Sequence, residues 1–131
     1  MQERVIPSDL TAAKELEEQV LRELDRHGYS EVASFAVRLA MEEGLNNAIK
    51  HGNRRDQSKT VTVCYEVTAE EARITIQDEG PGFHPEDVPD PTADENLEKP
   101  CGRGIMLMHA YMDDVHYNHR GNKVFLVKRN T

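Results

Sequence analysis

Two segments in the middle of the chain alternate strictly between apolar and polar residues, and this pattern limits the possible folds most. Residues 60–67 and 72–78 have the sequences TVTVCYEV and ARITIQD. The apolar positions recur at every second residue: Val61, Val63, Tyr65 and Val67 in the first segment, Ile74 and Ile76 in the second. A period of two is typical of a β-strand that buries one face. A short polar turn at 68–70 separates the segments, so they are predicted to form a hairpin.

The rest of the chain predicts helices before this hairpin, then a long loop, a further helix and a closing hairpin. The predicted elements are, in order, strand 3–6, helix 8–27 with Ser8 as its N-cap, helix 30–51 with Ser30 as its N-cap, strands 60–67 and 72–78, helix 102–111, and strands 113–118 and 123–128. This order predicts an α+β fold: a two-layer α/β sandwich with a mixed, mostly antiparallel sheet and helices on one face. At 131 residues the chain is expected to form one domain, residues 1–131.

Composition excludes several classes of protein. The net charge of -8 argues against a broad surface for nucleic acid or an anionic membrane. No apolar run approaches the roughly 20 residues of a membrane span, and no basic-then-apolar leader opens the chain. The two cysteines, Cys64 and Cys101, make no disulfide framework. A cytoplasmic location is therefore expected.

The second predicted helix carries the clearest sign of a functional site, in residues 42–53 (EEGLNNAIKHGN). Its first turns have an apolar stripe, which consists of Val32, Phe35, Ala36 and Leu39. Glu43, Asn47 and His51 then follow four apart and should form one polar row. Beside that row lie small residues, namely Ala36, Ala40, Gly44 and Ala48. A carboxylate and an amide next to a flat strip favour a surface that a ligand approaches closely, whereas His51 is expected to have a structural role at the helix end.

Two glycine-containing segments follow. Residues 78–82 (DEGPG) come at the end of a strand, where Asp78 could accept a hydrogen bond from an exocyclic amine and Gly80 and Gly82 allow close backbone approach. Residues 102–104 (GRG) open a helix, whose free N–H groups favour phosphate. Between them, residues 79–101 form a proline-rich loop of the length of a lid. Each segment alone is more often an ordinary turn, and neither a P-loop nor a Rossmann fingerprint occurs.

Taken together and in this order, the three segments resemble the GHKL superfamily of ATP-binding domains, which have the Bergerat fold. The resemblance covers about residues 8–128. The small size, the short lid of about residues 79–101 and the sequence GRGIMLMHAYMDDV are similar to the single-domain anti-sigma-factor serine/threonine kinases of bacterial partner-switching systems.

This resemblance implies ATP and Mg²⁺ as cofactors and assigns a role to each matching residue. Glu43 matches the catalytic glutamate, a general base, and Asn47 matches the asparagine that ligates Mg²⁺. The nucleotide-binding positions are Asn47, Asp78 (the residue that recognises adenine), Gly80, Gly82, Gly102, Arg103 and Gly104. Glu42 and Asn46 have the same spacing as Glu43 and Asn47, and only the following A-x-x-H-G motif selects the second pair.

By the same resemblance, the leading hypothesis is a kinase that also inhibits a sigma factor and phosphorylates a serine of a STAS-type anti-sigma-factor antagonist. A homodimer is possible, and neither nucleic acid nor a membrane is an expected partner. The alternative is a non-catalytic ATP-binding module that controls a protein partner by its nucleotide state. A catalytic module severed from a histidine kinase and an α+β domain without any nucleotide rank lower.

Overall fold

A computed structural model describes residues 1–54, 56, 58–80, 108–119 and 121–130. Its elements are β1 (Gln2–Pro7), α1 (Leu10–Arg26), α2 (Glu31–Asn46), a π-helix (Asn47–Gly52), β2 (Thr60–Val67), β3 (Glu71–Gln77), β4 (Asp114–Tyr117) and β5 (Lys123–Arg129). Residues 108–111 are also helical. Within these ranges, no helix has the length and apolarity needed to cross a membrane.

The five strands form one sheet in the order β1-β2-β3-β5-β4, and each neighbouring pair is antiparallel. The predicted hairpin of β2 and β3 is confirmed, with Val63 opposite Ile76 and Tyr65 opposite Ile74. The apolar positions of both strands lie on the side of the sheet that α1 and α2 cover, and all of them are buried except Val67, which is partly buried. The predicted α+β fold is therefore confirmed.

Helix α2 packs on the sheet through its small residues. Ala36 and Ala40 of α2 and Ala48 of the following π-helix are each 5% exposed or less. A methyl group added at Gly44 would lie 2.8 Å from Cδ1 of Ile76 on β3. The strip of small residues thus lets the helix backbone approach the sheet, and the expectation that a ligand approaches this strip is wrong.

The apolar stripe predicted for the first turns of α2 is wrong at two of its four positions. Val32 is 78% exposed and Phe35 is 54% exposed, whereas Val37 and Met41 are fully buried. The buried face of α2 combines small residues with Val37, Met41 and Leu45, whereas Val32 and Phe35 lie on its exposed face. The period of the helix was right, but Val32 and Phe35 lie outside the face that it buries.

The first helix begins one residue later than predicted. Asp9 is its N-cap, and its Oδ1 accepts a hydrogen bond of 2.9 Å from the N–H of Thr11. Ser8 is buried instead, and its hydroxyl donates to the carbonyl of Lys59 at 2.9 Å. The predicted cap of the second helix is confirmed, since Oγ of Ser30 accepts a hydrogen bond from the N–H of Ala33. Ser8 is buried because it directly follows β1, whose last residue pairs with the first residue of β2, and the sequence does not reveal this tertiary contact.

Candidate functional site

Glu43 and Asn47 lie one turn apart where the α-helix changes into a π-helix. The N–H of Asn47 donates to the carbonyl of Glu43, and both side chains are half-buried. The next turn is wider, and the N–H of Asn53 donates to the carbonyl of Ala48, five residues earlier, at 2.8 Å. A spacing of four therefore no longer keeps residues in one row, and the exposed His51 departs from the row that was predicted. Single π turns of this kind are frequent at functional sites.

The carboxyl group of Glu43 has altered acidity. Burial raises its pKa above the ordinary value, and the negative charge of the neighbouring Glu42 raises the pKa further. The positive charge of Lys50, nearly two turns along, acts in the opposite direction. A carboxylate with a raised pKa is a better proton acceptor near neutral pH than an exposed one. Glu43 thus has the chemical character required of a general base.

Asp78 lies against the end of the π-helix, and two glycines make this contact possible. A methyl group at Gly52 would overlap the carboxylate of Asp78, and one at Gly80 would overlap the carbonyl oxygen of Gly52. Oδ1 of Asp78 also accepts a hydrogen bond of 2.7 Å from the N–H of Gly80. The fold therefore joins the helix motif to the D-x-G motif, although 25 residues separate Gly52 from Asp78 and only the separate motifs were visible in the sequence.

The backbone of Asp78 is held by the turn between β4 and β5. Its N–H donates to the carbonyl of Asn122 at 2.9 Å, and Nδ2 of Asn122 donates to the carbonyl of Asp78 at 3.3 Å. Asn118 supports Asn122 in turn, since Nδ2 of Asn118 donates to Oδ1 of Asn122 at 2.8 Å. From the sequence, Asn118 was expected only to end the strand 113–118, and Asn122 only to lie in the turn that follows it. Their contribution to the site depends on a pairing of β3 with β5 that no local pattern predicts.

Asn53 connects the π-helix to three other segments. Its side chain is fully buried, and Oδ1 accepts a hydrogen bond of 2.8 Å from the N–H of Glu79. Nδ2 donates to Oγ of Ser8 and to the carbonyl of Thr60, both at 2.9 Å. From the sequence, Asn53 was expected only to close the second predicted helix together with Gly52. The local signal that could have identified it is an asparagine directly after a helix-ending glycine, and this signal is weak.

The remaining predicted nucleotide-binding residues, Gly82, Gly102, Arg103 and Gly104, lie outside the described residues, as do residues 81–101 of the predicted lid. Among the residues that the structure does describe, no three His, Cys, Asp or Glu side chains are placed to hold a metal ion together. Asn47 is a hard oxygen ligand that suits Mg²⁺, an ion that usually takes few protein ligands and completes its shell with water and phosphate oxygens. The amide of Asn47, half-buried and one turn from Glu43, fits a magnesium–nucleotide site.

Comparison with known proteins gives a family match. Residues 6–128 match the family described as histidine kinase-like ATPase domain. The chain is 30% identical over 99 residues to an anti-sigma F factor of Clostridium perfringens strain SM101, an alignment that covers 71% of this chain and 70% of that protein. It is 28% identical over 112 residues to the serine-protein kinase RsbW of Bacillus subtilis strain 168, covering 79% of this chain and 69% of that protein.

The fold is also similar to a solved structure. A crystal structure of the RsbU and RsbW domains of a Mycobacterium tuberculosis protein matches with a TM-score of 0.63 and 16% identity, and the match covers 99% of this chain and 32% of that chain. At this identity the similarity concerns the fold alone. With the family match across residues 6–128 and the similarity to anti-sigma factors and serine-protein kinases, the chain belongs to the histidine kinase-like ATPase family, as its resemblance to GHKL ATP-binding domains predicted.

Proposed function

We propose that this protein is an ATP- and Mg²⁺-dependent serine/threonine protein kinase that also acts as an anti-sigma factor. The observation that carries the proposal is the turn where α2 becomes a π-helix. There a half-buried glutamate with a raised pKa, Glu43, lies one turn from Asn47. The curated relatives are named as anti-sigma factors and as serine-protein kinases, and the two activities proposed for this chain combine those names.

Each residue of the proposed site has a separate task. When bound, ATP supplies the phosphoryl group. Glu43 would accept the proton of the incoming serine hydroxyl, and Asn47 would ligate Mg²⁺. Asp78 would accept a hydrogen bond from the amino group of adenine, beside the close backbone approach at Gly80. Gly82, Gly102, Arg103 and Gly104 are proposed for the phosphates from the sequence alone. Because phosphoryl transfer depends mostly on positioning and charge neutralisation, this small set of groups is sufficient.

The proposed partners follow from the same family resemblance. The phosphorylated protein would be a STAS-type anti-sigma-factor antagonist, and the inhibited protein would be a sigma factor. Both act on transcription, so the proposal places the chain in the cytoplasm of a bacterium. A homodimer is part of the proposal, and its test is sedimentation of the purified chain at several concentrations.

The test is phosphoryl transfer from labelled ATP to purified STAS-domain proteins encoded in the same genome, with and without Mg²⁺. We expect label on a serine of one of these proteins. Glu43→Gln should abolish transfer while ATP affinity changes by less than about twofold, because the amide keeps the shape of the side chain but cannot take a proton. Asn47→Ala should weaken binding of Mg-ATP by about tenfold or more.

Asn46→Ala is the matched control. Asn46 is also a half-buried asparagine, and it comes directly before Asn47. Its loss should leave both transfer and affinity near the wild-type values. ATP binding without transfer to any STAS protein would contradict the kinase and favour the non-catalytic nucleotide-controlled module. No ATP binding would contradict the proposed site itself.

A further inference from the structure

The interface between α1 and α2 contains a buried acid that the proposed reaction does not use. The side chain of Glu17 is only 3% exposed. Among the described residues, its Oε1 has no hydrogen-bond partner. Two cations form ion pairs with Oε1 without donating a hydrogen bond to it: Nζ of Lys14 lies 3.5 Å away, and Nη1 of Arg38 lies 3.6 Å away. Burial of a carboxylate that accepts no hydrogen bond at one oxygen is costly even beside two cations, which favours its protonated form.

A second acid faces Glu17 from the other helix. Oε1 of Glu42 on α2 lies 3.5 Å from Nζ of the same Lys14, so the two acids share one ammonium group, and a protonated Glu17 can donate a hydrogen bond to Glu42. Such a bond between two carboxyl groups exists only while one of them holds a proton. The residue after Glu42 is Glu43, the proposed base. The acid pair therefore lies directly beside the turn of α2 that presents the candidate site.

The charges around Glu17 all come from these two helices. Burial raises the pKa of Glu17 to about 7, and the negative charge and hydrogen bond of Glu42 act in the same direction. Lys14 on α1 and Arg38 on α2 lower the pKa. Strands β1 and β2 also pack on α1, and within the described residues they contribute no charged group to this set. The proton is therefore held by the interface itself.

We propose that Glu17 is a positioning residue: the contact of its buried carboxyl group with Glu42 holds α1 against the turn of α2 that carries Glu43. This inference rests on the proposed function for the role of Glu43. When Glu17 loses its proton, the hydrogen bond is lost and two carboxylates repel each other across the interface. The turn from Met41 to Asn46 then loses its support from α1. The kinase thus works best while Glu17 is protonated.

The first arm of the test needs no nucleotide or substrate. Amide hydrogen exchange of residues 41–46 is measured in the full chain between about pH 5 and 7, and each rate is divided by the intrinsic rate at that pH. In the wild type, the opening constant should rise up to about tenfold per pH unit, because opening exposes Glu17 and lowers its pKa. Glu17→Gln is neutral at every pH and can still donate to Glu42, so its opening constant should stay nearly constant.

The second arm measures kcat and KM for ATP between about pH 6 and 8.5. The wild-type kcat should fall about tenfold as pH rises through 7 with little change in KM, because a displaced base slows the chemical step. Glu17→Gln should keep a flat profile over this range. Glu17→Leu fills similar space but cannot donate a hydrogen bond. Its kcat should therefore be about tenfold lower than that of Glu17→Gln at every pH.

Glu18→Gln is the matched control for both arms. Glu18 is the next residue on α1, its side chain is 44% exposed, and it also pairs with Arg38, at 3.3 Å. Its loss should leave the wild-type pH dependence in place. The same pH dependence in the wild type and in Glu17→Gln, in either arm, would overturn the proposal. A wild-type chain that transfers no phosphoryl group would contradict the proposed function, and exchange would still decide whether Glu17 supports α2.

Discussion

Asn53 and Glu17 are both buried polar residues, yet the fold treats them in opposite ways. All the side-chain hydrogen-bonding atoms of Asn53 are engaged: Oδ1 accepts from Glu79, and Nδ2 donates to Ser8 and Thr60. Glu17 leaves Oε1 without a hydrogen bond and faces another acid. A satisfied buried network makes a structure rigid and unique, whereas an incompletely satisfied one makes stability depend on conditions. We therefore expect the Asn53 network to support the fold at every pH, whereas the Glu17 contact should respond to pH.

The largest effect is expected from the satisfied network. Asn53→Ala would leave the N–H of Glu79 and the groups of Ser8 and Thr60 without a buried partner. We expect the free energy of unfolding to fall by about 4 kcal/mol, as measured by urea denaturation. Asn130→Ala is a control, since Asn130 also makes two side-chain hydrogen bonds but lies at the surface. A loss of about 1 kcal/mol or less in both variants would show that the Asn53 network is no stronger than surface bonds.

A slightly smaller effect is expected from pH at Glu17. The folded state holds the proton with a pKa of about 7, against 4.5 for an ordinary glutamate. Because the folded state binds this proton more tightly than the unfolded state, the stability contributed by protonated Glu17 is complete below about pH 4.5 and is lost as pH rises to about 7. At about 1.4 kcal/mol per pH unit, the loss is about 3 kcal/mol.

Urea denaturation of the wild type and of Glu17→Gln at several pH values measures this difference. The amide variant should lack the loss, so it should be the more stable protein at pH 8 by up to about 3 kcal/mol. Equal slopes of stability against pH for the two proteins would mean that Glu17 is no different from a surface acid, and the comparison with Asn53 would fail.

A third prediction concerns the contact between Gly52 and Asp78, next to the Asn53 network. Gly52→Ala would displace the carboxylate of Asp78, so calorimetry should show ATP affinity about tenfold lower or worse and a free energy of unfolding about 2 kcal/mol lower. Gly28→Ala is the control: Gly28 has a φ of +75° and no neighbour within 4 Å of an added methyl group. It should destabilise the fold by about 1 kcal/mol without changing ATP affinity. Unchanged affinity in Gly52→Ala would argue against Asp78 as the residue that recognises adenine.

The smallest effect is expected at Val32, on the exposed face of α2. Val32→Ser should change the free energy of unfolding by less than about 0.5 kcal/mol, since this side chain already faces solvent. Met41→Ala, on the buried face of the same helix, should cost about 3 kcal/mol. Comparable losses in the two variants would indicate that the apolar face predicted from the sequence is buried in solution, for instance against a partner.

Much of the secondary structure could be predicted because it depends on local chemistry. The alternation in residues 60–67 identified β2 with its observed bounds, and Ser30 was recognised as an N-cap from its position before a helical segment. The predictions failed where a distant segment decided the outcome. The hydroxyl group of Ser8 forms hydrogen bonds with Lys59 and Asn53, so Asp9 caps the helix instead. Gly44 of α2 packs against Ile76.

For the candidate site, the sequence motifs indicated Glu43, Asn47, Asp78 and Gly80, and the structure brings the last two to the end of the helix that carries the first two. Gly52, Asn53 and Asn122 were not recognised as supports, because each acts through a contact with a residue at least 26 positions away. Assignment of the glycines at 82, 102 and 104 still depends on the sequence alone.

The sequence by itself determined the order of the elements, the period of each and the residue types available for chemistry, because these follow from the preferences of neighbouring residues. Only the tertiary structure decided which face of α2 is buried, how closely Asp78 approaches Gly52, and that Glu17 meets Glu42. The physical reason is that burial, close packing and the pKa of an acid depend on all the groups surrounding a side chain, and most of those groups come from distant parts of the chain.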